Sequence, residues 1–362
     1  MMDVQLAALE AMLLAQAAKQ TEMAARLESL KVRLQDHSAL LRQLDHPGAP
    51  RDRAPWGDVV VDLREASSQI SQSLSLMTNA LQRMRRMEGA GSPAVYLGGH
   101  RILVETVREL LLICDSRDLQ VTPALITRRV WEPEMTMVFE RLIKPGGLVL
   151  EIGAHIGYFT TLAGSLTGGD GRVEAYEPNA RSHELLCANL RLNRMAHFTR
   201  THRQAVSATS GTAVMSAFTS NMASSTLSSL PDRLLDEFGE TPSAVEVATV
   251  TLDEQYRGIR DRFDFVKIDA EGAEPLILRG GREFLTFAIK RDGVVAFEYN
   301  PPASQGLGEK PAAAIEQLSG AGFSVVQLMP DGALAAPQLD PWCNAALLAR
   351  RGSWPATIHQ LG

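Results

Sequence analysis

The stretch Leu148-Val149-Leu150-Glu151-Ile152-Gly153-Ala154-His155-Ile156-Gly157-Tyr158-Phe159-Thr160 limits the possible folds of this chain more than any other. An apolar run of strand length ends on a glycine turn that opens an amphipathic segment, the order in which a buried parallel strand hands the backbone to a helix. Such a turn predicts a small-molecule pocket. Glycine supplies positive φ and lets a ligand approach closely, and the free N–H groups of the first helical turn can bond a polar group. A second strand, Arg172-Val173-Glu174-Ala175-Tyr176, ends on Glu177-Pro178, with Glu177 20 residues after Gly157. A carboxylate at that spacing can accept both hydroxyl hydrogens of a ribose.

The chain on either side keeps the alternation of strand and helix. Arg101–Val130 supplies lead-in strands, and a helix over Glu134–Ile143 stops at Lys144-Pro145-Gly146-Gly147. After Glu177 come a helix through Leu185, Leu186 and Leu190, a third strand end at His202–Val206, and a Ser/Thr-rich stretch. Within that stretch Asn221–Ser225 reads as a mobile loop over the sheet edge. Strands at Phe263–Asp269, Gly293–Tyr299, Phe323–Leu328 and Cys343–Ala349, with a helix at Lys310–Ser319, bring the expected sheet to seven strands, doubly wound and Rossmann-like, within residues 94–362. The fourth strand ends in Lys267, Asp269, Glu271 and Glu274, and the fifth in Glu298. Ligands of open α/β sheets sit beyond the carboxyl ends of the strands, so these charges belong to the predicted functional face.

Ahead of this domain, residues 1–88 read as an α-helical coiled-coil region. A 3-4 spacing of Leu6, Leu9, Leu13, Met23, Leu27, Leu30, Leu34, Leu41 and Leu44 is interrupted only by polar seam residues Gln16, Gln20 and His37. The proline-rich segment 45–58 breaks it, and a second pattern runs from Val59 to Met87. A helical hairpin and a kinked coiled coil shared between chains both fit, and the second implies a homo-oligomer. A net charge of −6 gives no footprint for nucleic acid. Three scattered cysteines suggest a cytoplasmic protein with reduced thiols, and no run is long enough to span a membrane.

An ordered set of motifs resembles the FkbM-like class I S-adenosylmethionine-dependent methyltransferases. It comprises Lys144-Pro145-Gly146-Gly147, Glu151-Ile152-Gly153-Ala154-His155-Ile156-Gly157-Tyr158, Glu177-Pro178-Asn179, Asn189-Leu190-Arg191-Leu192-Asn193, Val250-Thr251-Leu252-Asp253-Glu254, Lys267-Ile268-Asp269-Ala270-Glu271-Gly272-Ala273-Glu274 and Phe297-Glu298. Glu151 stands where the family usually has Asp, and His155 where it has Asn. The resemblance implies that the Gly153–Gly157 turn, with Ala154 and His155, holds the methionine portion of the cofactor. It also implies that Glu177, next to Pro178, holds the ribose and the Gln204-Ala205 region the adenine. Glu151 and Tyr158 are plausible neighbours of a sulfonium, which attracts carboxylates and aromatic faces.

The implied reaction is transfer of a methyl group to a hydroxyl of a sugar, glycan or secondary metabolite, an in-line displacement aided by a base. Asp269, Glu271 and Glu298 are the candidate bases, and Lys267 is a candidate partner for one of them. The same carboxylates offer a site to a divalent cation that would acidify the hydroxyl. Two other readings use the same residues: an NAD-dependent oxidoreductase, disfavoured by the lack of a G-x-G-x-x-G turn, and a non-catalytic coiled-coil scaffold, disfavoured by the intact Gly153, Gly157 and Glu177.

Overall fold

A computed structural model describes residues 94–228, 235–236, 238–340 and 344–360, so the expected coiled coil lies outside the described residues. The domain opens with an antiparallel meander, β1 (Val95–Gly98), β2 (Arg101–Glu105) and β3 (Leu111–Asp115), followed by helices α1 (Val121–Arg128) and α2 (Pro133–Leu142). The alternating part then runs β4 (Leu148–Ile152), α3 (Tyr158–Thr167), β5 (Arg172–Tyr176), α4 (Ala180–Leu192), β6 (Thr199–His202), β7 (Ala205–Val206), β8 (Gly211–Ala217) and β9 (Ser243–Val250). It continues with α5 (Leu252–Gln255), β10 (Phe263–Ile268), α6 (Glu274–Arg279), β11 (Ile289–Tyr299), α7 (Pro301–Gly306), α8 (Ala313–Gly320), β12 (Ser324–Leu328), β13 (Leu334–Ala335) and β14 (Ala345–Arg350).

The main sheet has eight strands in the order β13-β12-β14-β11-β10-β4-β5-β6, one more than the seven expected. The extra strand is β13, two residues paired to β12 at Leu334 and Ala335 and too short to carry a periodicity. The expected third strand end also divides. Thr199–His202 joins β5, whereas Ala205–Val206 leaves the main sheet and pairs with β9 in a separate sheet ordered β7-β9-β8. Strands β4, β5, β6, β10 and β11 are parallel, and β14 runs antiparallel to β11.

Burial on both faces explains why the central strands read as continuous apolar runs. Val149, Val173, Phe265, Val294 and Leu348 face one core with Phe139 of α2 and with Phe159 and Leu162 of α3. Leu150, Ile152, Val266, Ile268 and Phe297 face the other, with Leu252 of α5, Ile277 of α6 and Leu318 of α8. Phe139 lies 4.7 Å from the Phe159 ring and 4.8 Å from Phe265, tying α2 and α3 to the sheet. Each such ring contributes on the order of 1.5–3 kcal/mol by leaving water.

From β4 the chain winds outward through β5 to β6, then returns to place β10 and β11 on the other side of β4. The strand order therefore reverses between β4 and β10. A crevice at the carboxyl ends of those two strands follows from this topology alone.

Candidate active site

The turn after β4 is shaped by its neighbour strand. Gly153 has φ of 84°, and a Cβ there would stand 1.6 Å from the main-chain oxygen of Asp269. The N–H of Asp269 donates to the Ile152 carbonyl at 2.9 Å, so the two strand ends are stitched together at this point. Gly157 has φ of 87°, and its Cβ would meet Leu186 Cδ1 of α4 at 2.5 Å. Both glycines have the expected left-handed backbone, but what excludes a Cβ is protein in each case. The expected clearance for a ligand is corrected to a close approach of β10 at Gly153 and of α4 at Gly157.

Within the sheet, Glu151 and Lys267 are side by side in register on the face that carries α3, flanked by Ala175 on β5 and Ala296 on β11. The two alanines leave room for the two long charged side chains. Glu151 is 1% exposed and accepts from Thr160 Oγ1 at 2.6 Å. Burial pushes its carboxyl up to about 7, against the attraction of Lys267 and the Thr160 hydrogen bond. Lys267 is 3% exposed, pairs with Asp269 at 2.5 Å, and sits 4.7 Å from the centre of the Phe159 ring. Burial opposes its charge, but Asp269, Glu132 and Glu151 outweigh it and hold the ammonium above its ordinary range.

Beyond the strand ends Asp269, Glu271 and Glu298, all half-buried, bring carboxylate oxygens within 4.8 Å of one another. Asn300 Nδ2 donates to Glu271 Oε2 at 2.9 Å and to Glu298 Oε2 at 3.4 Å, and Asn344 Nδ2 donates to Glu298 Oε1 at 3.0 Å. Burial first, and then repulsion from neighbouring carboxylates, Asp269 and Glu274 among them, raise Glu271 and Glu298 well above the usual carboxylate range. Glu274 is 1% exposed and turns back to accept the Ala270 N–H at 2.8 Å, which closes the Asp269–Glu274 loop.

Glu177 follows β5. Its Oε2 accepts the His155 N–H at 2.7 Å and its Oε1 the Asn179 N–H at 2.8 Å, so the carboxylate is fixed by main chain on both sides. Burial raises it to about 7 despite those two donors. Tyr158 is buried, with its hydroxyl 3.0 Å from Thr136 Oγ1, and desolvation raises its pKa above the ordinary phenol value. It reaches the cavity while also packing the start of α3.

These elements enclose a cleft with about 1190 Å³ of empty space, open mouth included, just above the roughly 300–1,000 Å³ typical of small-molecule sites. It gathers Glu151, Gly153, Ala154, His155, Tyr158, Glu177, Pro178, Gln204, Ala205, Lys267, Asp269, Glu271 and Glu298. Gly157 is absent from its wall. A smaller cleft, lined among others by Glu134, Met135, Phe297 and Asn344, shares Glu132, Lys267, Asp269 and Glu298 with it.

Gln120, Trp131 and Glu132 line the large cleft from the segment ahead of β4; sequence reasoning assigned Arg101–Trp131 to the acceptor pocket without naming a residue in it and gave Glu132 no role. Glu132 has the left-handed φ of 41° and precedes Pro133 at the start of α2, and burial raises its carboxyl to about 7. The Glu132-Pro133 pair marks a helix start and nothing more, because its place beside Lys267 depends on how α2 packs. The Asn221–Ser225 segment, expected to be a mobile loop, is tied into the wall. Gln120 Nε2 donates to Ser224 Oγ at 2.9 Å, and just past the segment Thr226 Oγ1 donates to the Glu271 carbonyl at 2.7 Å.

A doubly wound α/β domain whose cofactor-type cleft sits at the reversal of strand order defines the class of this protein. Residues 151–325 match the family described as methyltransferase FkbM domain. That part of the chain belongs to the FkbM methyltransferase family, and the protein is a methyltransferase. No curated protein shows significant sequence similarity to the chain. Among solved structures it is similar to a SAM-dependent O-methyltransferase from Thermotoga maritima, with 13% identity, 70% of this chain and 78% of that one covered, and a TM-score of 0.36. It is similar to the O-methyltransferase TomG from Streptomyces achromogenes, in complex with SAM, at 17% identity, 60% and 79% coverage and a TM-score of 0.33. It is also similar to TYW2 of M. jannaschii, in complex with AdoMet, at 13% identity, 70% and 87% coverage and a TM-score of 0.36. Likenesses this distant say nothing about a substrate. No helix among the described residues is long and apolar enough to cross a membrane.

Proposed function

We propose that the protein transfers the methyl group of S-adenosylmethionine to a hydroxyl of a sugar, glycan or secondary metabolite. The donor set of the large cleft fits that cofactor. Glu177, immobilised by two main-chain N–H groups, keeps lone pairs for the ribose hydroxyls. The Gln204–Val206 edge with Met215 gives adenine a mixed polar and apolar wall, and the acidic end near Glu151 and Asp269 suits a positively charged group. When bound, S-adenosylmethionine supplies an electrophilic methyl carbon on a sulfonium.

The chain's own residues do the rest. One observation carries the reading: the large and small clefts meet at Glu132, Lys267, Asp269 and Glu298. An acceptor in the small cleft thus presents its hydroxyl to carboxylates on the border of the donor site. Glu298, oriented by Asn300 and Asn344, and Glu271, oriented by Asn300, are placed to take the hydroxyl proton. Burial raises both carboxyls, so each is a stronger base than an ordinary carboxylate once it is ionised. Lys267 is a positioning residue: its ammonium fixes Asp269 and offsets Glu151 and Glu132.

Transfer of labelled methyl from S-adenosylmethionine to a panel of hydroxylated acceptors, with magnesium and with EDTA, tests this function. Glu298→Gln is expected to lower turnover about 100-fold or more while leaving S-adenosylhomocysteine binding within about threefold. Loss of activity in EDTA alone would favour a divalent cation held by Asp269, Glu271 and Glu298 over a free base. Labelling of amine acceptors alone would contradict the hydroxyl assignment. The heptad-spaced segments at 6–44 and 59–87 are proposed to oligomerise the enzyme, which sedimentation velocity of the full chain would register as a species larger than one 39.4 kDa chain.

A further inference from the structure

Two polar atoms in the wall of the large cleft are buried without a hydrogen-bond partner, Gln120 Oε1 and His155 Nε2. A buried acceptor or donor left unpaired costs on the order of 1–3 kcal/mol, so such atoms in a cavity wall point to something the cavity takes in. Gln120 is not loosely placed. It precedes α1, its main-chain N–H donates to Asp118 Oδ1 at 3.2 Å, and its side-chain Nε2 donates to Ser224 Oγ at 2.9 Å. The neighbouring Leu119 N–H donates to the Ser220 carbonyl at 2.7 Å. The amide is thereby held by the segment after β8 with its oxygen left over.

The sheet gives the direction in which a ligand runs. Glu177 follows β5, Gln204 and Ala205 follow β6 on one side of it, and His155 follows β4 on the other. A nucleoside with its ribose on Glu177 and its base toward Gln204 extends its remaining substituent toward His155 and the residues that close over it. In S-adenosylmethionine that substituent ends in a zwitterion, an ammonium that needs acceptors and a carboxylate that needs donors. An amide oxygen and an imidazole nitrogen meet those two needs. Burial holds His155 down to about 4, so its ring is neutral at physiological pH and carries one N–H.

We infer that Gln120, a residue outside the segment matched to the family, completes the cofactor site by accepting a hydrogen bond from the α-ammonium of the amino-acid end, with His155 Nε2 donating to its carboxylate. Ser224 is then a positioning residue that keeps the amide turned inward. This inference rests on the methyltransferase reading of the cleft.

Calorimetry with two probes tests it: S-adenosylhomocysteine, which carries the amino-acid end, and 5′-methylthioadenosine, which has the same nucleoside without it. In Gln120→Leu, affinity for S-adenosylhomocysteine is expected to fall about tenfold or more, while that for 5′-methylthioadenosine stays within about twofold. Gln120→Glu keeps an acceptor oxygen and is expected to retain S-adenosylhomocysteine binding. Unchanged affinity for both probes in Gln120→Leu would overturn the inference, because the orphaned oxygen would then face only water. Equal loss for both would also overturn it, making Gln120 a support of the fold. If the wild-type protein binds neither probe, the cofactor reading of the cleft falls and takes this inference with it.

Discussion

At the residue scale the site depends on how a few carboxylates are held. Glu177 titrates near 7 because burial outweighs its two main-chain donors. Only its ionised form accepts from both ribose hydroxyls, so S-adenosylhomocysteine affinity is expected to rise between pH 6 and pH 8 and level off above. Calorimetry across that range checks this, and Glu177→Gln should flatten the rise and weaken binding roughly ten- to a hundredfold. Lys267 answers to a different balance. Replacing it by Met leaves Asp269, Glu151 and Glu132 without their shared counter-charge, and urea denaturation is expected to register a loss of about 3 kcal/mol or more. Glu177 was legible in the sequence because its role follows from local order, strand then carboxylate. Glu132 and Gln120 were not, since each reaches the cleft only through long-range packing of α1 and α2.

At the element scale the glycine turn couples three parts of the fold. Gly153→Ala would place a methyl on the rigid backbone of Asp269, and thermal unfolding is expected to show a loss of several kcal/mol or failure to fold. Gly157→Ala meets the end of a leucine side chain that can rotate and should cost less. The sequence identified both turns but not the reason for glycine at either, because that reason lies in β10 and α4 and not in the turn. The Asn189-Leu190-Arg191-Leu192-Asn193 motif has a similar explanation. Asn189 accepts the Ile113 N–H at 2.6 Å and donates to the carbonyls of Ile113 and Ile156, at 3.1 and 2.8 Å. Asn193 accepts the Leu111 N–H at 3.1 Å and donates to its carbonyl at 2.7 Å. Together they replace the neighbour strand that β3 lacks and dock the meander on α4. Asn189→Leu is expected to cost about 2–3 kcal/mol and to speed hydrogen exchange at the Ile113 amide.

At the scale of the whole molecule, the strands β4, β5, β10 and β11 were readable from the alternation of runs and the charges that end them, but the order in which they pair was not. The separate β7-β9-β8 sheet and the two-residue β13 were not, because pairing between distant short segments leaves no periodic trace. Concentrating carboxylates at the strand ends also sets the pH response of the fold. Burial raises Glu132, Glu151, Glu177 and Glu274 to about 7, whereas unfolded glutamates release their protons near pH 4.3. The folded chain therefore binds more protons than the unfolded one across about pH 4.3–7, and stability falls as pH rises through that window. His155, lowered to about 4, and His183, also lowered by burial, act in the opposite sense up to the unfolded value near 6.5, but they are two groups against these four glutamates, which Glu271 and Glu298 join. The melting temperature of the ligand-free protein is expected to be higher at pH 6 than at pH 8, and Glu151→Gln should reduce the difference. The central claim, that the reversal of strand order between β4 and β10 builds an S-adenosylmethionine site, is tested most directly by calorimetry of the full chain with S-adenosylhomocysteine and, in parallel, NAD. One saturable site for S-adenosylhomocysteine is expected, weakened about tenfold or more in Glu177→Ala. Binding of NAD alone, or S-adenosylhomocysteine binding indifferent to Glu177→Ala, would contradict it.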